Sequence, residues 1–238
     1  MKDQANTLRN LLGRKASVLQ PVMGLAGRPD ASLLAAAMVD EAVAEGSGGI
    51  VIDGGRDALV EAFNLKKRWE LCHYLSGDVS AQSLLLSWGE SRYLVPAARG
   101  INQVGVGQVI NRSRFQKLLS GFADNGHEMY VTLSYEQAGM ALSLCADAPQ
   151  WLWLVEPNRT SVTECYKALT QIGPACGNMV HSVLVCRARS AAQADDVFAE
   201  LEHVTRPYLS QPIEYAGQYR GPSCARSLRV RSRLEAII

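Results

Sequence analysis

Short apolar runs alternate along this chain with longer segments that have helical periodicity. Residues 18–23 form the first apolar run, and residues 31–45 carry apolar side chains at the intervals of a helix. Gly46 is placed to end that helix, and residues 50–52 form a second apolar run. Later apolar runs lie at 93–96, 129–133, 151–155, 182–186 and 213–216. The alternation predicts an α/β fold with a mainly parallel sheet flanked by helices on both faces.

The loop between the first run and the first helix reads G-L-A-G-R-P-D from Gly24 to Asp30. A strand, a glycine-containing loop and a helix form the usual cradle for nucleotide phosphates. The G-x-x-x-x-G-K-[ST] motif ends in a glycine, a lysine and a hydroxyl, whereas this loop has Pro29, Asp30 and Ala31 there. Proline lacks an amide donor, and alanine has no oxygen for magnesium. At an effective dielectric near 20, unit charges about 4 Å apart interact by roughly 4 kcal/mol, so Asp30 would repel a phosphate as strongly as a lysine would attract it.

These substitutions predict a pocket with the architecture of a nucleotide site but without its chemistry. Moving the motif by one position makes Ser32 the hydroxyl but restores neither the lysine nor the second glycine. The residues of this degenerate nucleotide pocket are Gly24, Leu25, Gly27, Pro29, Asp30, Ala31 and, at the end of the second apolar run, Asp53.

Composition narrows the function classes further. The 238 residues carry a net charge of +1, which gives no general reason to expect a nucleic-acid partner. Six cysteines and four histidines are dispersed without metal-ligand spacing, so we expect reduced thiols, no metal site and no cofactor. The sequence has no signal peptide and no apolar run long enough to span a membrane, which favours a cytoplasmic location.

The two ends and one internal segment carry separate predictions. Residues 1–14 have a narrow apolar face typical of a short helix, which would pack on its own domain or fold on a partner. Residues 15–238 form the main domain, and residues 221–238 are predicted to form a helical tail with four arginines, which would contact a membrane or pack on the domain. Residues 97–107 are rich in glycine and are predicted to form a loop.

Several segments resemble one known family. Residues 3–9 read D-Q-A-N-T-L-R and match a D-Q-A-x-x-L-R motif, and residues 155–166 resemble a T-P-E-P-T-S-I-T-D-A-Y stretch. Segments 70–78, 94–97 and 183–190 follow the same layout in the same order. Both motifs and this layout are similar to FlhG, the MinD-like regulator of flagellar number that is also called YlxH or FleN.

The resemblance implies a MinD/ParA-like P-loop NTPase fold, and it also exposes departures from the family. Leu25 and Asp30 stand where the family has lysines, and Asp53 matches an acid that helps to orient the attacking water. The family's I-D-T-G-A-G motif is replaced by residues 133–139, without its metal-facing aspartate, and Cys186 stands where the family often has an adenine-reading asparagine. We therefore expect a pseudo-ATPase that does not hydrolyse ATP.

In the family, the N-terminal motif stimulates the GTPase FlhF. By resemblance, the partner-binding residues are Asp3, Gln4, Ala5, Leu8 and Arg9. Flagellar basal-body proteins are further candidate partners, and the tail is a candidate for peripheral contact with the inner membrane or the cell pole. Two alternatives stay open: an ATPase that binds nucleotide through Arg28, Ser32 and Asp53, and a nucleotide-independent scaffold at the membrane or basal body. Arg28, Arg187 and Arg189 are also candidates for joint binding of an anion, although single arginines beside loops are more often solvated charges.

Overall fold

The computed structural model describes residues 19–105, 109–177 and 179–220, and these residues form an α/β domain around one sheet. The strands of the described residues are β1 (Leu19–Gly24), β2 (Gly48–Asp53), β3 (Leu86–Gly89), β4 (Arg92–Pro96), β5 (His127–Ser134), β6 (Gln150–Val155), β7 (Val180–Cys186) and β8 (Glu214–Tyr219). Their order in the sheet is β3-β4-β2-β5-β1-β6-β7-β8. Only the β3–β4 pair among them is antiparallel.

Helices connect most of the parallel strands. They are α1 (Asp30–Ala44), α2 (Ala58–Ala62), α3 (Leu71–Ser76), α4 (Ala81–Leu84), α5 (Ile101–Gly105), α6 (Val109–Asp124), α7 (Ala138–Leu144), α8 (Arg159–Ile172) and α9 (Ala191–Thr205). Short 3₁₀ turns lie at Tyr135–Gln137 and Gly173–Ala175.

The core has two layers because helices cover both faces of the sheet. Every residue of β6 is buried, since Trp151 and Trp153 pack into the layer on one face while Leu152 and Leu154 pack into the layer on the other. This continuous burial explains why β6 is apolar throughout rather than alternating. The predicted fold class, a mainly parallel sheet flanked by helices on both faces, is confirmed.

Two local features differ from the sequence predictions. The predicted loop at 97–107 contains α5, because Ile101 and Val104 are three residues apart and both bury their side chains in the core. The short strand β3 was not predicted; it pairs with β4 at the edge of the sheet, where its residues alternate between half-buried and exposed.

The predicted N-terminal helix at 1–14 and the predicted tail at 221–238 lie outside the described residues. Among the residues that are described, no helix has the length and apolar character needed to cross a membrane.

Candidate functional site

The loop from β1 to α1 lies where the carboxyl ends of parallel strands meet. Gly27 adopts a positive φ of 76°, and a turn forms as the Arg28 amide donates to the Leu25 carbonyl at 3.2 Å. The helix α1 begins at Asp30, directly after Pro29. Asp30 therefore lies in the first helical turn, where backbone N–H groups lack partners and the helix dipole favours negative charge.

Asp30 is held by an arginine from a distant strand end. The Arg187 guanidinium follows β7 and donates from Nε to both carboxylate oxygens at 3.2 Å and from Nη2 to Oδ2 at 3.0 Å. Such two-pronged pairing is among the stronger hydrogen-bonded ion pairs in proteins. The hydrogen bond and the charge of Asp30 raise the pKa of Arg187 above its ordinary value. The anion at this helix N-terminus is thus supplied by the chain itself.

A second carboxylate extends this ion-pair network. Glu156 follows β6 and is buried, and its Oε1 lies 3.2 Å from Arg28 Nε and 3.8 Å from Arg187 Nε. Asn158 donates to its Oε2 at 2.9 Å. Two arginines and two carboxylates therefore lie together beside the ends of β1, β6 and β7, and their formal charges cancel.

Asp53, at the end of β2, is 2 % exposed and accepts four hydrogen bonds. Its Oδ1 accepts from Ser32 Oγ at 2.7 Å, from Thr132 Oγ1 at 2.7 Å and from the Gly55 amide at 3.0 Å. Its Oδ2 accepts a longer bond of 3.4 Å from the Leu59 amide. The carboxylate thus ties α1, β5 and α2 together.

The loop after β2 packs directly over this carboxylate. A Cβ atom at Gly55 would lie 2.9 Å from both Asp53 Oδ1 and Ser32 Oγ, and one at Gly54 would lie 2.4 Å from the Thr132 carbonyl oxygen. Both glycines therefore allow an approach that any side chain would prevent. Asp53 could reach an external metal or water only if this loop moved.

A separate ionic cluster anchors the segment that leads into α3. Glu70 is buried and accepts hydrogen bonds from Arg99 and, at 3.4 Å, from Lys67, which also bonds to Asp57. Burial alone would raise the pKa of Glu70, but the hydrogen bond from Arg99 and the nearby positive charges outweigh it and lower that pKa. This cluster fixes the loops after β2 and β4 at the same edge of the sheet.

The structure places the predicted pocket residues around one loop. Gly24, Leu25, Gly27, Pro29, Asp30 and Ala31 form the β1–α1 connection, and Asp53 lies beside Ser32 at its base. Of the three arginines considered as a joint anion site, Arg28 and Arg187 both lie near Glu156, whereas the Arg189 side chain joins neither carboxylate of the network. Cys186 is buried, and burial raises the pKa of its thiol to about 12.

Sequence reasoning named Ser32 only as an alternative nucleotide-binding hydroxyl and did not predict its hydrogen bond to Asp53. It missed Thr132 altogether. Thr132 lies opposite Asp53 in the β2–β5 register, which could be known only from the strand order. Glu136, the one carboxylate within residues 133–139, is exposed beyond the end of β5.

The predicted partner-binding residues cannot be placed, because residues 1–18 lie outside the described part of the chain. Within the described part, no group of three or more histidine, cysteine, aspartate or glutamate side chains is arranged to hold a metal ion.

Known structures share this architecture at low sequence identity. The MinD cell division protein of Aquifex aeolicus superposes with a TM-score of 0.61 at 14% identity, covering 89% of this chain and 85% of that protein. A ParA family ATPase from Chlorobium tepidum gives a TM-score of 0.61 at 11% identity, with 93% and 94% covered. The fold is that of the MinD/ParA-type ATPases.

The same fold also serves an enzyme of another class. Cobyrinic acid a,c-diamide synthase from Mycobacterium smegmatis superposes with a TM-score of 0.62 at 13% identity, covering 92% of this chain and 96% of that one. No protein-family model and no curated protein sequence matches this chain significantly. The MinD/ParA-type fold therefore does not identify the function of this chain, which depends on the residues of the site.

Proposed function

We propose that this chain is a MinD/ParA-like regulator that acts without binding or hydrolysing ATP. The observation that carries the proposal is the Asp30–Arg187 pair at the N-terminus of α1. In a working phosphate loop this position needs a cation and an incoming phosphate. Here a carboxylate supplies the negative charge and an arginine from β7 neutralises it.

A nucleotide would have to displace this network to enter. A phosphate would have to compete with Asp30 and Glu156 for Arg28 and Arg187. A phosphate that displaced Asp30 from Arg187 would then face the freed carboxylate, and two such charges about 4 Å apart repel by roughly 4 kcal/mol at an effective dielectric near 20. Those arginines already pair with Glu156 and Asp30. These ion pairs therefore favour the arrangement without nucleotide.

The geometry of Asp53 supports the same proposal. An acid that orients an attacking water must face the open site, whereas Asp53 accepts four hydrogen bonds from its own chain and lies beneath Gly55. We propose a structural role for it.

For the cellular role we propose an FlhG-like regulator of flagellar placement or number, in the cytoplasm or peripherally at the inner membrane. What supports this is the D-Q-A-x-x-L-R motif at residues 3–9 together with the segments that resemble the family further along the chain. In this proposal the N-terminal segment contacts an FlhF-like GTPase, and Gln4 contributes most to its stimulation.

The partner proposal is tested by GTP turnover of FlhF with a peptide covering residues 1–14. We expect stimulation by the natural peptide, loss of stimulation with Gln4→Ala, and full stimulation with Asn6→Ala, which changes a position outside the motif. No stimulation by the natural peptide would remove this part of the proposal. Normal stimulation by the Gln4→Ala peptide would contradict the role assigned to Gln4.

One observation favours a second candidate function, an ATPase with a non-standard site. The Ser32 hydroxyl lies at the base of the loop, 2.7 Å from Asp53, where it resembles a metal-binding hydroxyl beside an acid. Phosphate release from Mg-ATP separates the two candidates. The ATPase requires turnover that Ser32→Ala removes, whereas our proposal predicts no turnover in either protein.

A further inference from the structure

Arginines follow five of the strands at the carboxyl edge of the sheet. In sheet order these residues are Arg99 after β4, Arg56 after β2, Arg28 after β1, Arg159 after β6, and Arg187 and Arg189 after β7. All six are exposed. Because the carboxyl ends of parallel strands meet at one edge, the six side chains share one side of the molecule.

The carboxylates that pair with arginines at this edge lie deeper than the arginines themselves. The Glu70, Glu156 and Asp30 side chains are only 2%, 8% and 14% exposed, while the side chains of Arg99 and Arg187 that bind them are 71% and 48% exposed. In these pairs the negative charge lies beneath the surface and the positive charge lies on it. The outer face of this edge is basic although the whole chain has a net charge of only +1.

Three of these arginines have no partner for their guanidinium within the described residues. They are Arg56, Arg159 and Arg189, which we call the free arginines. From β2 to β7 they span four inter-strand steps, which at about 4.8 Å each is about 19 Å.

Arg159 stands at an electrostatically unfavourable place. It is the first residue of α8, where the helix dipole disfavours a cation. Asn158 already caps this helix, since its side-chain oxygen accepts a hydrogen bond from the Ser161 amide. A charge that local stability does not require is an indication of a binding role.

We propose that this carboxyl edge is a docking surface for an acidic segment of a partner protein. The guanidinium fork matches carboxylate geometry, and the arginines already paired at this edge, Arg28, Arg99 and Arg187, all hold carboxylates. An extended strand of about six residues would span the ~19 Å between the outer free arginines. A nucleic-acid surface is typically far more basic than that of a chain with a pI near 7.6.

One acidic residue on this edge allows a test in which the proposal predicts stronger rather than weaker binding. Glu136 is exposed at the end of β5, between β2 and β1 in the sheet, and no described residue pairs with it. A carboxylate there repels an acidic segment that lies across the edge. Glu136→Gln should therefore strengthen binding, which general loss of structure cannot imitate.

The test uses the full chain and a fluorescent peptide of about eight glutamates, long enough to cross the ~19 Å span. Fluorescence anisotropy at about 50 mM salt should show binding that weakens as screening increases. Replacing the free arginines by serine should weaken binding at least ~10-fold, and Glu136→Gln should tighten it ~2-fold or more.

The matched control removes three positive charges elsewhere. Lys117, Lys167 and Arg206 are exposed, and the latter two form only surface ion pairs with residues three or four positions away. The triple serine variant at these positions should bind the peptide within ~2-fold of the natural chain. Equal weakening in the control, or no peptide binding at all, would overturn the proposal.

Duplex DNA of matched charge provides the competing outcome. Tighter binding of DNA than of peptide, with the same dependence on the free arginines, would assign this edge to nucleic acid and refute the acidic-protein proposal. The inference goes beyond the proposed regulator role, since it requires neither FlhF nor a particular nucleotide state, and its outcome is independent of the FlhF assay.

Discussion

Replacing Asp53 by asparagine removes a buried charge while keeping the shape of the side chain. In the structure Oδ1 accepts bonds from Ser32, Thr132 and the Gly55 amide, and Oδ2 accepts one from Leu59. An asparagine oxygen at the Oδ1 position can keep three of these bonds, but without charge assistance. Its NH₂ group would then face the Leu59 amide, so that two donors oppose each other.

The expected cost follows from these contacts. A hydrogen bond to a charged group contributes about 1 kcal/mol more than a neutral one, so the three bonds at Oδ1 together lose about 3 kcal/mol. Because Asp53 is 2% exposed, solvent does not screen this loss. For a chain of this size, about 3 kcal/mol corresponds to a fall in Tm of roughly 6–12 °C.

The assay is thermal and urea unfolding of the natural chain and the Asp53→Asn variant. Thr132→Val serves as the matched control, since it removes one donor without changing charge and should cost about 1–2 kcal/mol. In a double-mutant cycle the two substitutions should be strongly non-additive, because they share one bond. An unchanged or higher Tm for Asp53→Asn would refute the structural role, since charges kept for catalysis commonly destabilise the fold.

Three further predictions concern other contacts. Burial lowers the pKa of His181 to about 4, whereas the pKa of an unfolded histidine is near 6.5. The contribution of neutral His181 to stability should therefore be full above about pH 6.5 and should be lost, by about 3 kcal/mol in total, as the pH falls from there through 4. Urea unfolding at several pH values should show this decline, and His181→Asn should flatten it. Asp30→Asn should lower the free energy of unfolding by about 1 kcal/mol, because its ion pair with Arg187 is partly exposed. A double-mutant cycle with Arg187→Gln should show a coupling energy close to that value. Additive effects of the two substitutions would mean that the ion pair contributes nothing. Gly55→Ala should destabilise the chain by about 1–3 kcal/mol, since the new Cβ would lie 2.9 Å from Asp53 Oδ1 and from Ser32 Oγ. An unchanged Tm in thermal unfolding would show that the loop does not pack tightly over the Asp53 carboxylate.

The alternation of strands and helices could be predicted from the sequence because each buried strand is a separate apolar run. β6 is the clearest case, since a strand covered on both faces carries apolar residues at every position rather than at alternate ones. The order of the strands could not be predicted. Apolar runs do not encode which strand becomes a neighbour, and β5 inserts between β1 and β2.

The candidate site could be predicted only in part for the same reason. The loss of loop chemistry at Pro29, Asp30 and Ala31 is a local pattern and is visible in the sequence. The pairing of Asp30 with Arg187 joins residues 157 positions apart, so no local pattern reveals it. The sequence shows only that the motif's lysine is replaced by Asp30, whereas the structure shows that Arg187 pairs with this carboxylate.

The same distinction explains Asp53. Its position at a strand end resembles a catalytic acid in the sequence, but its role depends on Ser32, Thr132 and Gly55, which come from three different segments. Sequence position alone could not separate a structural carboxylate from a catalytic one.

Isothermal titration calorimetry with Mg-ATP and Mg-ADP tests most directly whether the chain's own ion pairs occupy the phosphate position. Our account predicts no saturable heat for either nucleotide up to about 1 mM, which corresponds to a binding free energy weaker than about −4 kcal/mol. Saturable binding in the micromolar range that Arg187→Gln weakens would contradict the account, because it would place the nucleotide where Asp30 is proposed to stand.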